Sequence, residues 1–328
     1  MPGPSPGSSP GPAPAAVATE VADLKKAVAQ VVPARTDSNL LIGSWNLRAL
    51  AGLTESWDAD EHASPKRDLR ATSLIAAVLG AFDVVAVQEV RRDTTALRAV
   101  LAALGPDWQF LCSDVTEGDA GNGERLTFVY DSTRVRPSGL VGEVVLPPVA
   151  GRAASQFART PYAVSFVRGD VEVILTTVHI VWDTAAADRV PEVTAFAEWM
   201  HDWAVRPGDW NGNLLVLGDF NLEGPGTPLY QAFVSTGLFP PGQISNLPRT
   251  IFDSTDHPHH YDQIAWFSDV AADGTMHNLL HGLDFSGHAG SFDFVPHVFP
   301  GLSKTSVSWR ISDHFPLWVE MTLTQPTP

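Results

Sequence analysis

The stretch from Asn213 to Tyr230, NLLVLGDFNLEGPGTPLY, decides how the chain is read. Four apolar residues at its start predict a short buried strand, and Gly218 is expected to end it. Asp219 and Asn221 follow. Residues two apart in an extended backbone point to the same side, so these two side chains would face one spot if the extended backbone runs on. A carboxylate beside an amide suits an attacking water next to a developing oxyanion. A polar turn after a core strand is the alternative interpretation.

Composition limits the kinds of protein that this chain can form. Its 328 residues, 44% of them hydrophobic, suffice for one large domain or two small ones. The net charge of −16 argues against a broad basic face for nucleic acid, but carboxylates can hold a metal. No run of ~18 apolar residues predicts a membrane span. Cys112 is the single cysteine and no secretory signal is visible, so the expected location is cytoplasmic.

The first 39 residues predict a disordered tail that contains one short helix. Met1 to about Ala18 are almost entirely Pro, Gly, Ser and Ala, which cannot bury apolar surface. Thr19 to Val32 has apolar residues at helical spacing, which predicts a helix. This helix either packs against the folded domain or makes no contact with it. Residues 40–325 are expected to form one folded domain.

Within that domain, strands outnumber helices. Helices are predicted from Ser64-Pro65 to Leu79, from the cap Asp93 to Gly105-Pro106, and from Pro191 to Ala204. Two mixed sheets stacked as a sandwich with helices outside, an α+β architecture, fit this order. The predicted strands are 40–45, 83–87, 109–113, 126–130, 142–146, 162–167, 171–179, 214–217, 261–267, 276–280, 307–311 and 317–323.

Polar residues of the same few kinds recur where the apolar strands begin or end. Buried carboxylates are costly alone, so many of them at strand ends make sense if they share a rim and hold a cation. Each residue alone could instead have a structural role, in a turn or as a structural histidine. The set as a whole is what indicates a functional site. Its members are Asn46, Glu89, His179, Asp219, Asn221, Asp262, Asp313 and His314.

The expected cofactor is a hard divalent cation. Oxygen ligands suit Mg²⁺, with Mn²⁺ or Ca²⁺ as alternatives. Zinc is disfavoured because the sequence has neither a thiolate cluster nor an HExxH helix.

Six motifs in order, WN, QE, a strand-end His, GDFN, YDQI and SDH, resemble the endonuclease/exonuclease/phosphatase superfamily. The resemblance runs from Leu40 to Leu323 and implies a four-layer α/β/β/α sandwich, with residues 40–325 as the catalytic domain. GNGERLTFVYD, with Glu124 and Arg125, and the arginine after QEV resemble the deoxyribonuclease I branch. Where that branch has a tyrosine, this chain has Asn122, which removes the contact such a ring would give to nucleic acid.

The resemblance implies the role of each polar residue. Glu89, with Asn46 and Asp313, binds the metal. Asp219 orients or deprotonates the attacking water, and Asn221 contacts the scissile phosphate.

Two histidine–carboxylate pairs are implied on opposite sides of the phosphate: His314 with Asp262, and His179 with Glu124. A carboxylate partner fixes the tautomer of a histidine and favours its charged form. The residues implied to contact substrate are Arg91, Arg125 and Asn122.

The leading hypothesis is a divalent-metal-dependent phosphodiester hydrolase, a DNase I-like endonuclease acting on DNA, with no protein partner predicted. The acidic composition and Asn122 motivate an alternative, a phosphoesterase for a small or lipid phosphoester. A non-catalytic binding module that retains the fold is the third hypothesis. Trp182, beside a candidate site loop, could bind a base, a sugar or nothing. The histidine-rich loop 253–262 is either a metal-binding tract or a solvated loop.

Overall fold

The structure of the protein is a computed structural model that describes residues 11–117, 122–146, 157–182, 185–210, 212–254, 259–270 and 274–324. Its six helices are α1 Ala15–Val28, α2 Leu69–Leu79, α3 Thr95–Leu104, α4 Ala186–Val205, α5 Pro228–Val234 and α6 Lys304–Arg310. Its thirteen strands are β1 Asn39–Leu50, β2 Val84–Arg91, β3 Trp108–Cys112, β4 Glu124–Asp131, β5 Arg136–Glu143, β6 Tyr162–Arg168, β7 Val171–His179, β8 Leu214–Leu222, β9 Leu238–Phe239, β10 His260–Val270, β11 Met276–Asn278, β12 Leu283–Ser291 and β13 Leu317–Leu323.

The strands form two mixed sheets. The first has the order β12-β13-β1-β2-β4-β3, and the second has the order β11-β10-β8-β7-β6-β5, with β9 paired to β10. β1 and β2 are parallel in the first sheet, and β7 and β8 are parallel in the second. In each parallel pair both strands carry their carboxyl ends to the same edge, which is the edge that will carry the site.

Helices cover the outer faces of both sheets, which gives four layers. Alternation along β1 shows how: Leu40 and Ile42 lie in the core between the sheets, whereas Leu41 lies in the core under the helices. α1, α2, α3 and α6 contribute to the core on the first sheet, and α4 and α5 to that on the second. The predicted α+β sandwich of two mixed sheets flanked by helices is confirmed.

Helix α1 docks on this domain. It begins at Ala15, so residues 15–18, expected to be disordered, are helical, and it ends at Val28 rather than Val32. Leu24 and Val28 are fully buried in the core that α2 shares. The division of the chain at residue 39 stays a prediction. No helix among the described residues has the length and apolarity needed to cross a membrane.

One predicted helix start and one predicted strand were wrong. α2 begins at Leu69 and not at Ser64-Pro65, because the buried carboxylate of Asp68 accepts the N–H of Ala71 at 2.8 Å and caps the helix. Residues 307–311 were predicted as a strand, but residues 307–310 are the end of helix α6, whose N-cap is Ser303 and whose C-cap is Ile311. Apolar residues at 307, 309 and 311 fit a strand, and Val307 and Ile311, both buried and four apart, fit one face of a helix as well.

Other predicted boundaries also differ from those in the structure. β5 overlaps the predicted strand 142–146 only at residues 142 and 143, and β9, β12 and α5 were not predicted. Gly218 does not end its strand, because β8 continues to Leu222.

Candidate active site

The site lies where the two sheets meet at the carboxyl ends of β1, β2, β7 and β8. In the second sheet Asp219 is the register partner of His179 on one side and of Asp262 on the other. The Asn46 amide, from the first sheet, donates to Asp219 Oδ2 at 3.1 Å and so joins the two sheets. Three side chains from neighbouring strands and one from the facing sheet therefore converge.

Glycine at position 218 allows this convergence. Its φ is +143°, and a Cβ there would lie 2.2 Å from the carbonyl oxygen of Val178. β8 can therefore approach β7 closely directly before Asp219. Asn221, with a φ of 50°, donates its side-chain amide to Ile180 O at 2.7 Å and its backbone N–H to Asp219 Oδ1 at 3.0 Å.

Glu89 and Asn46 form one candidate metal-binding pair. Asn46 Nδ2 lies 3.0 Å from Glu89 Oε1, and the N–H of Ala49 donates to Glu89 Oε2 at 2.8 Å. Burial raises the pKa of Glu89, but the positive charge of His179 and the Asn46 hydrogen bond outweigh it and lower the pKa to about 2. The Glu89 carboxylate is thus ionised and available to a cation.

Asp313, the third predicted metal ligand, points elsewhere. Its carboxylate forms an ion pair with the guanidinium of Arg48 at 2.9 Å. The structure thus brings Asn46 and Glu89 together and directs Asp313 toward Arg48.

Asp262 and His314 are in direct contact. Asp262 Oδ2 lies 2.7 Å from His314 Nδ1, and the other imidazole nitrogen lies 3.9 Å from Asp219 Oδ2. Burial lowers the pKa of His314, but the charges of Asp262 and Asp219 outweigh it, and the pKa is well above the usual value. Burial also raises the pKa of Asp262, to about 6. Both shifts mean that the pair holds its proton to a higher pH.

His179 mirrors this arrangement on the other side of Asp219. Its Nδ1 lies 2.8 Å from Glu124 Oε2, and its Nε2 lies 3.7 Å from Asp219 Oδ2. Burial lowers its pKa, whereas the Glu124 hydrogen bond and the Asp219 charge raise it, with a net increase. One carboxylate therefore lies between two imidazoles, each of which has its own carboxylate partner.

The donor set fits a hard cation. Oxygen and nitrogen atoms of Asp219, Asp262 and His314 lie within 4.8 Å of one another. Asp262 Oδ1 is buried and has no hydrogen-bond partner among the described residues, which leaves a negative oxygen for a cation or a proton. Oxygen donors of this kind suit Mg²⁺, Mn²⁺ or Ca²⁺.

The structure separates the substrate-contact residues that the sequence predicted. Arg91 lies 3.3 Å from Glu124 and donates to the carbonyl oxygen of Asn122, whose amide donates to Glu124 at 2.9 Å. Arg125 instead donates to Ser113 O at 2.9 Å. Glu124 and Arg125 are consecutive in β4 and point to opposite faces, which is why the structure does not bring Arg125 to this site.

Arg159 was missed by the sequence analysis. Its guanidinium lies 2.7 Å from Glu124 Oε2, and it donates to His179 O at 3.4 Å. The sequence indicates the position of Arg159 only through strand pairing. Arg159 precedes β6, and β6 is antiparallel to β7. The start of β6 therefore lies at the edge of the sheet where β7 ends in His179.

Arg67 was missed as well. Fully buried, it donates to the carbonyl oxygens of Leu47 at 2.9 Å, of Arg48 at 3.1 Å and of Ala49 at 3.1 Å. It thereby holds the turn at residues 47–49, an irregularity within β1 that interrupts its pairing with β2 between Asn46 and Leu50 and whose Ala49 N–H reaches Glu89. Burial is the main cause that lowers its pKa to about 10.

Known proteins resemble this chain in sequence and fold. The sequence pattern of the Endonuclease/Exonuclease/phosphatase family matches residues 43–314. A protein of Thioalkalivibrio sp. (strain K90mix) named Deoxyribonuclease is 28% identical over 304 residues, which cover 88% of this chain and 73% of that protein.

Two solved structures share the fold. The human Nocturnin catalytic domain with bound sulfate anion has a TM-score of 0.58 at 15% identity, over 90% of this chain and 96% of that one. The mannosyl-6-phosphatase of Bacteroides thetaiotaomicron VPI-5482 has a TM-score of 0.55 at 17% identity, over 87% of this chain and all (100%) of that one.

Proposed function

This chain belongs to the endonuclease/exonuclease/phosphatase family, and we propose that it is a divalent-metal-dependent phosphodiester hydrolase that cleaves DNA internally. The observation that carries the proposal is the position of Asp219. One carboxylate oxygen lies 3.7 Å from the imidazole of His179 and 3.9 Å from that of His314. A base between two acids suits the hydrolysis of a phosphodiester, in which a water loses a proton and the leaving oxygen gains one.

In this proposal Asp219 orients a water and takes its proton. Asn221, whose backbone N–H donates to Asp219 Oδ1 at 3.0 Å, holds the carboxylate and lies beside the phosphate. Since a phosphodiester is an anion that repels nucleophiles, the attack needs the negative oxygens neutralised at the same time.

The two imidazoles supply that neutralisation. His179 and His314, whose pKa values are raised by their carboxylate partners against the effect of burial, would donate from Nε2 to phosphoryl oxygens. His314, held by the buried Asp262, also gives a proton to the leaving alkoxide.

Glu89 and Asn46 would hold the cation, which we propose to be Mg²⁺, with Mn²⁺ or Ca²⁺ as alternatives. When bound, it supplies Lewis-acid stabilisation of the charge on the phosphoryl oxygens. The ionised state of Glu89, whose pKa is lowered to about 2, supports this role. Asp313 is proposed to act beside this pair after exchanging its partner Arg48.

DNA as the substrate is supported by the relative named Deoxyribonuclease. Arg91, which is partly exposed beside Glu124 at the His179 end of the site, would meet a phosphate that flanks the scissile one. A small phosphoester remains the second candidate, favoured by the net charge of −16 and by the mannosyl-6-phosphatase that shares the fold.

Plasmid relaxation tests the proposal. With Mg²⁺, supercoiled plasmid should give open circles before linear molecules, and EDTA should stop the reaction. His314→Ala should lower the rate about 100-fold or more, since general acid–base groups contribute roughly 10²–10⁴-fold. His288→Ala is the matched control, because His288 also pairs with a carboxylate, Glu320, but lies on the surface.

Two results would contradict the proposal. Plasmid and single-stranded DNA that both stay intact with Mg²⁺, Mn²⁺ and Ca²⁺ would exclude the nuclease, and phosphate release from sugar phosphates in the same samples would support the second candidate. Equal rates for His314→Ala and the wild-type protein would mean that the chemistry occurs elsewhere.

A further inference from the structure

Three aromatic rings extend outward from His314. The ring of Tyr261, the residue before Asp262 on β10, has its centroid 6.2 Å from that of His314. The imidazole of His259 stacks on Tyr261 at 4.5 Å and 15°, and Trp182 meets Tyr261 nearly perpendicularly at 5.0 Å and 79°. We name Trp182, Tyr261 and His259 the aromatic platform.

The platform is exposed but anchored. Trp182 is 52% exposed, and the side chain of His259 is 50% exposed. The guanidinium of Arg189 lies 5.1 Å from the Trp182 ring and itself donates to Asn221 O at 2.8 Å, while His259 Nδ1 lies 2.5 Å from Asp253. Flat rings that are already held in place lose little freedom when a ligand stacks on them.

We propose that the aromatic platform is a stacking subsite for an unpaired nucleobase next to the scissile phosphate; this inference rests on the nuclease activity proposed above. A base in an intact duplex has both faces covered by its neighbours, so only a base in a single strand or at an unpaired position can stack there. The substrate class that this subsite selects is therefore single-stranded or locally unpaired DNA.

Charge supports a nucleobase as the occupant. With a net charge of −16, the protein cannot gain much affinity from neutralising many phosphates. Arg91 and Arg159 at the site already face the carboxylate of Glu124. Stacking on aromatic side chains does not depend on charge and strengthens binding of single strands about 5- to 150-fold per base. Stacking on the aromatic platform would therefore add affinity for DNA that the negative charge of this protein does not provide.

The test measures binding and cleavage separately. The first probe is a fluorescently labelled oligothymidylate, and the second is the same strand in which abasic tetrahydrofuran residues replace all nucleosides. Binding is followed by fluorescence anisotropy in EDTA, and cleavage with Mg²⁺ is followed on gels. Trp182→Ala should weaken binding of oligothymidylate about 10-fold and slow its cleavage by a similar factor, while binding of the abasic strand is unchanged. Trp182→Phe, which keeps an aromatic face, should restore most of both.

Trp210→Ala is the matched control. Trp210 is also exposed, at 40%, but it precedes β8 at the end opposite Asp219, and its removal should change neither binding nor cleavage. His259→Ala should act in the same direction as Trp182→Ala.

The outcomes distinguish the subsite from the nuclease activity. Cleavage by the wild-type protein with no difference between Trp182→Ala and Trp210→Ala would overturn the subsite and leave the nuclease standing. Base-dependent binding that Trp182→Ala abolishes, without cleavage under any metal, would support the subsite and overturn the nuclease. Equal binding of both probes by the wild-type protein, or binding of neither, would overturn the subsite.

Discussion

At the scale of single residues, Asp219 is the point at which the site is assembled. Its Oδ2 accepts the amide of Asn46 and lies near both imidazoles, while its Oδ1 accepts the N–H of Asn221. Because these donors come from both sheets, a displacement of either sheet changes the surroundings of this carboxylate. The charge of Asp219 also raises the pKa of both histidines, so it prepares the two acids that it faces.

Removing the charge of Asp262 should shift the pH dependence of activity. The folded pKa of His314 is raised, so the protonated acid is present below that pKa and is lost as pH rises through it. In Asp262→Asn the charge that does most to raise the pKa of His314 is lost. Burial, which lowers that pKa, remains. The alkaline limb of the profile of kcat/KM against pH should move to lower pH, with a lower maximum.

Glu320→Gln is the control for that profile, since Glu320 partners His288 away from the site. An alkaline limb that is unmoved in Asp262→Asn would mean that a group other than His314 limits the rate at high pH.

Sequence patterns predicted the residues at strand ends better than those reached through pairing. His179, Asp219 and Asp262 lie in register on neighbouring strands, as motifs at strand ends suggested. Arg159 was not predicted because its partner Glu124 is 35 positions away in the sequence. The pairing of β6 with β7 brings Arg159 to the His179 end of the site, where Glu124 lies. The role of Arg125 stays a prediction, although residues adjacent in a strand point to opposite faces and Arg125 therefore does not lie beside Glu124.

At the scale of elements, close approach of β8 to β7 depends on Gly218. Gly218→Ala should lower the free energy of unfolding by about 3 kcal/mol or more, because the new methyl group would strike the backbone of Val178 in addition to the cost of a positive φ. Urea unfolding measures the loss, and the rate of hydrolysis should fall as Asp219 shifts.

Gly226→Ala separates the cost of the steric clash from the cost of the positive φ. Gly226 also has a positive φ, +90°, but nothing lies within 4 Å of a Cβ there, so only the conformational cost of about 1–2 kcal/mol is expected. If the two variants were equally stable, the close approach of the strands would not matter.

The turn between Leu47 and Ala49 is a second element that depends on one side chain. Arg67→Met should leave several buried carbonyl oxygens without donors, each at a cost of about 1–3 kcal/mol. Because the same turn presents the Ala49 N–H to Glu89, the variant should also bind the metal more weakly. Unfolding in urea and metal titration of activity, below the unfolding temperature, give the two readouts.

Arg98→Met controls for the loss of a charge, since Arg98 is exposed on α3. Normal metal dependence in a folded Arg67→Met protein would mean that the turn keeps its position without the arginine.

Short apolar segments limited what the sequence could predict about elements. Residues 307–311 fit the period of a strand and that of a helix, and the Ser303 cap that decides between them lies outside these five residues. By contrast, β7 and β13 were predicted with the boundaries observed, because apolar residues recur at every second position from Val171 to Leu175 and from Leu317 to Leu323.

At the scale of the whole molecule, helix α1 packs against the helices that cover the first sheet. Arg70 of α2 lies 2.6 Å from Glu20 of α1, whose other oxygen accepts the N–H of Phe299 at 2.9 Å. Together with the buried Leu24, these contacts tie α1 to the helical layer on the first sheet. The predicted division at residue 39 would place this helix outside the domain that it covers.

Leu24→Ala tests whether α1 unfolds with the domain. A leucine buried to 0% exposure in a cooperative core should cost about 2–5 kcal/mol when truncated, and urea unfolding followed by far-UV circular dichroism should keep a single transition at a lower midpoint. Val31→Ala is the control, because Val31 directly follows the same helix and is 45% exposed, so its truncation should cost less than about 0.5 kcal/mol. Equal midpoints for the two variants would show that α1 contributes nothing to the stability of the domain, and residues 1–39 would then form a separate tail, as the sequence predicted. A lower midpoint for Leu24→Ala alone would move the boundary of the folded unit toward Ala15, because a core contact stabilises only the unit that unfolds with it.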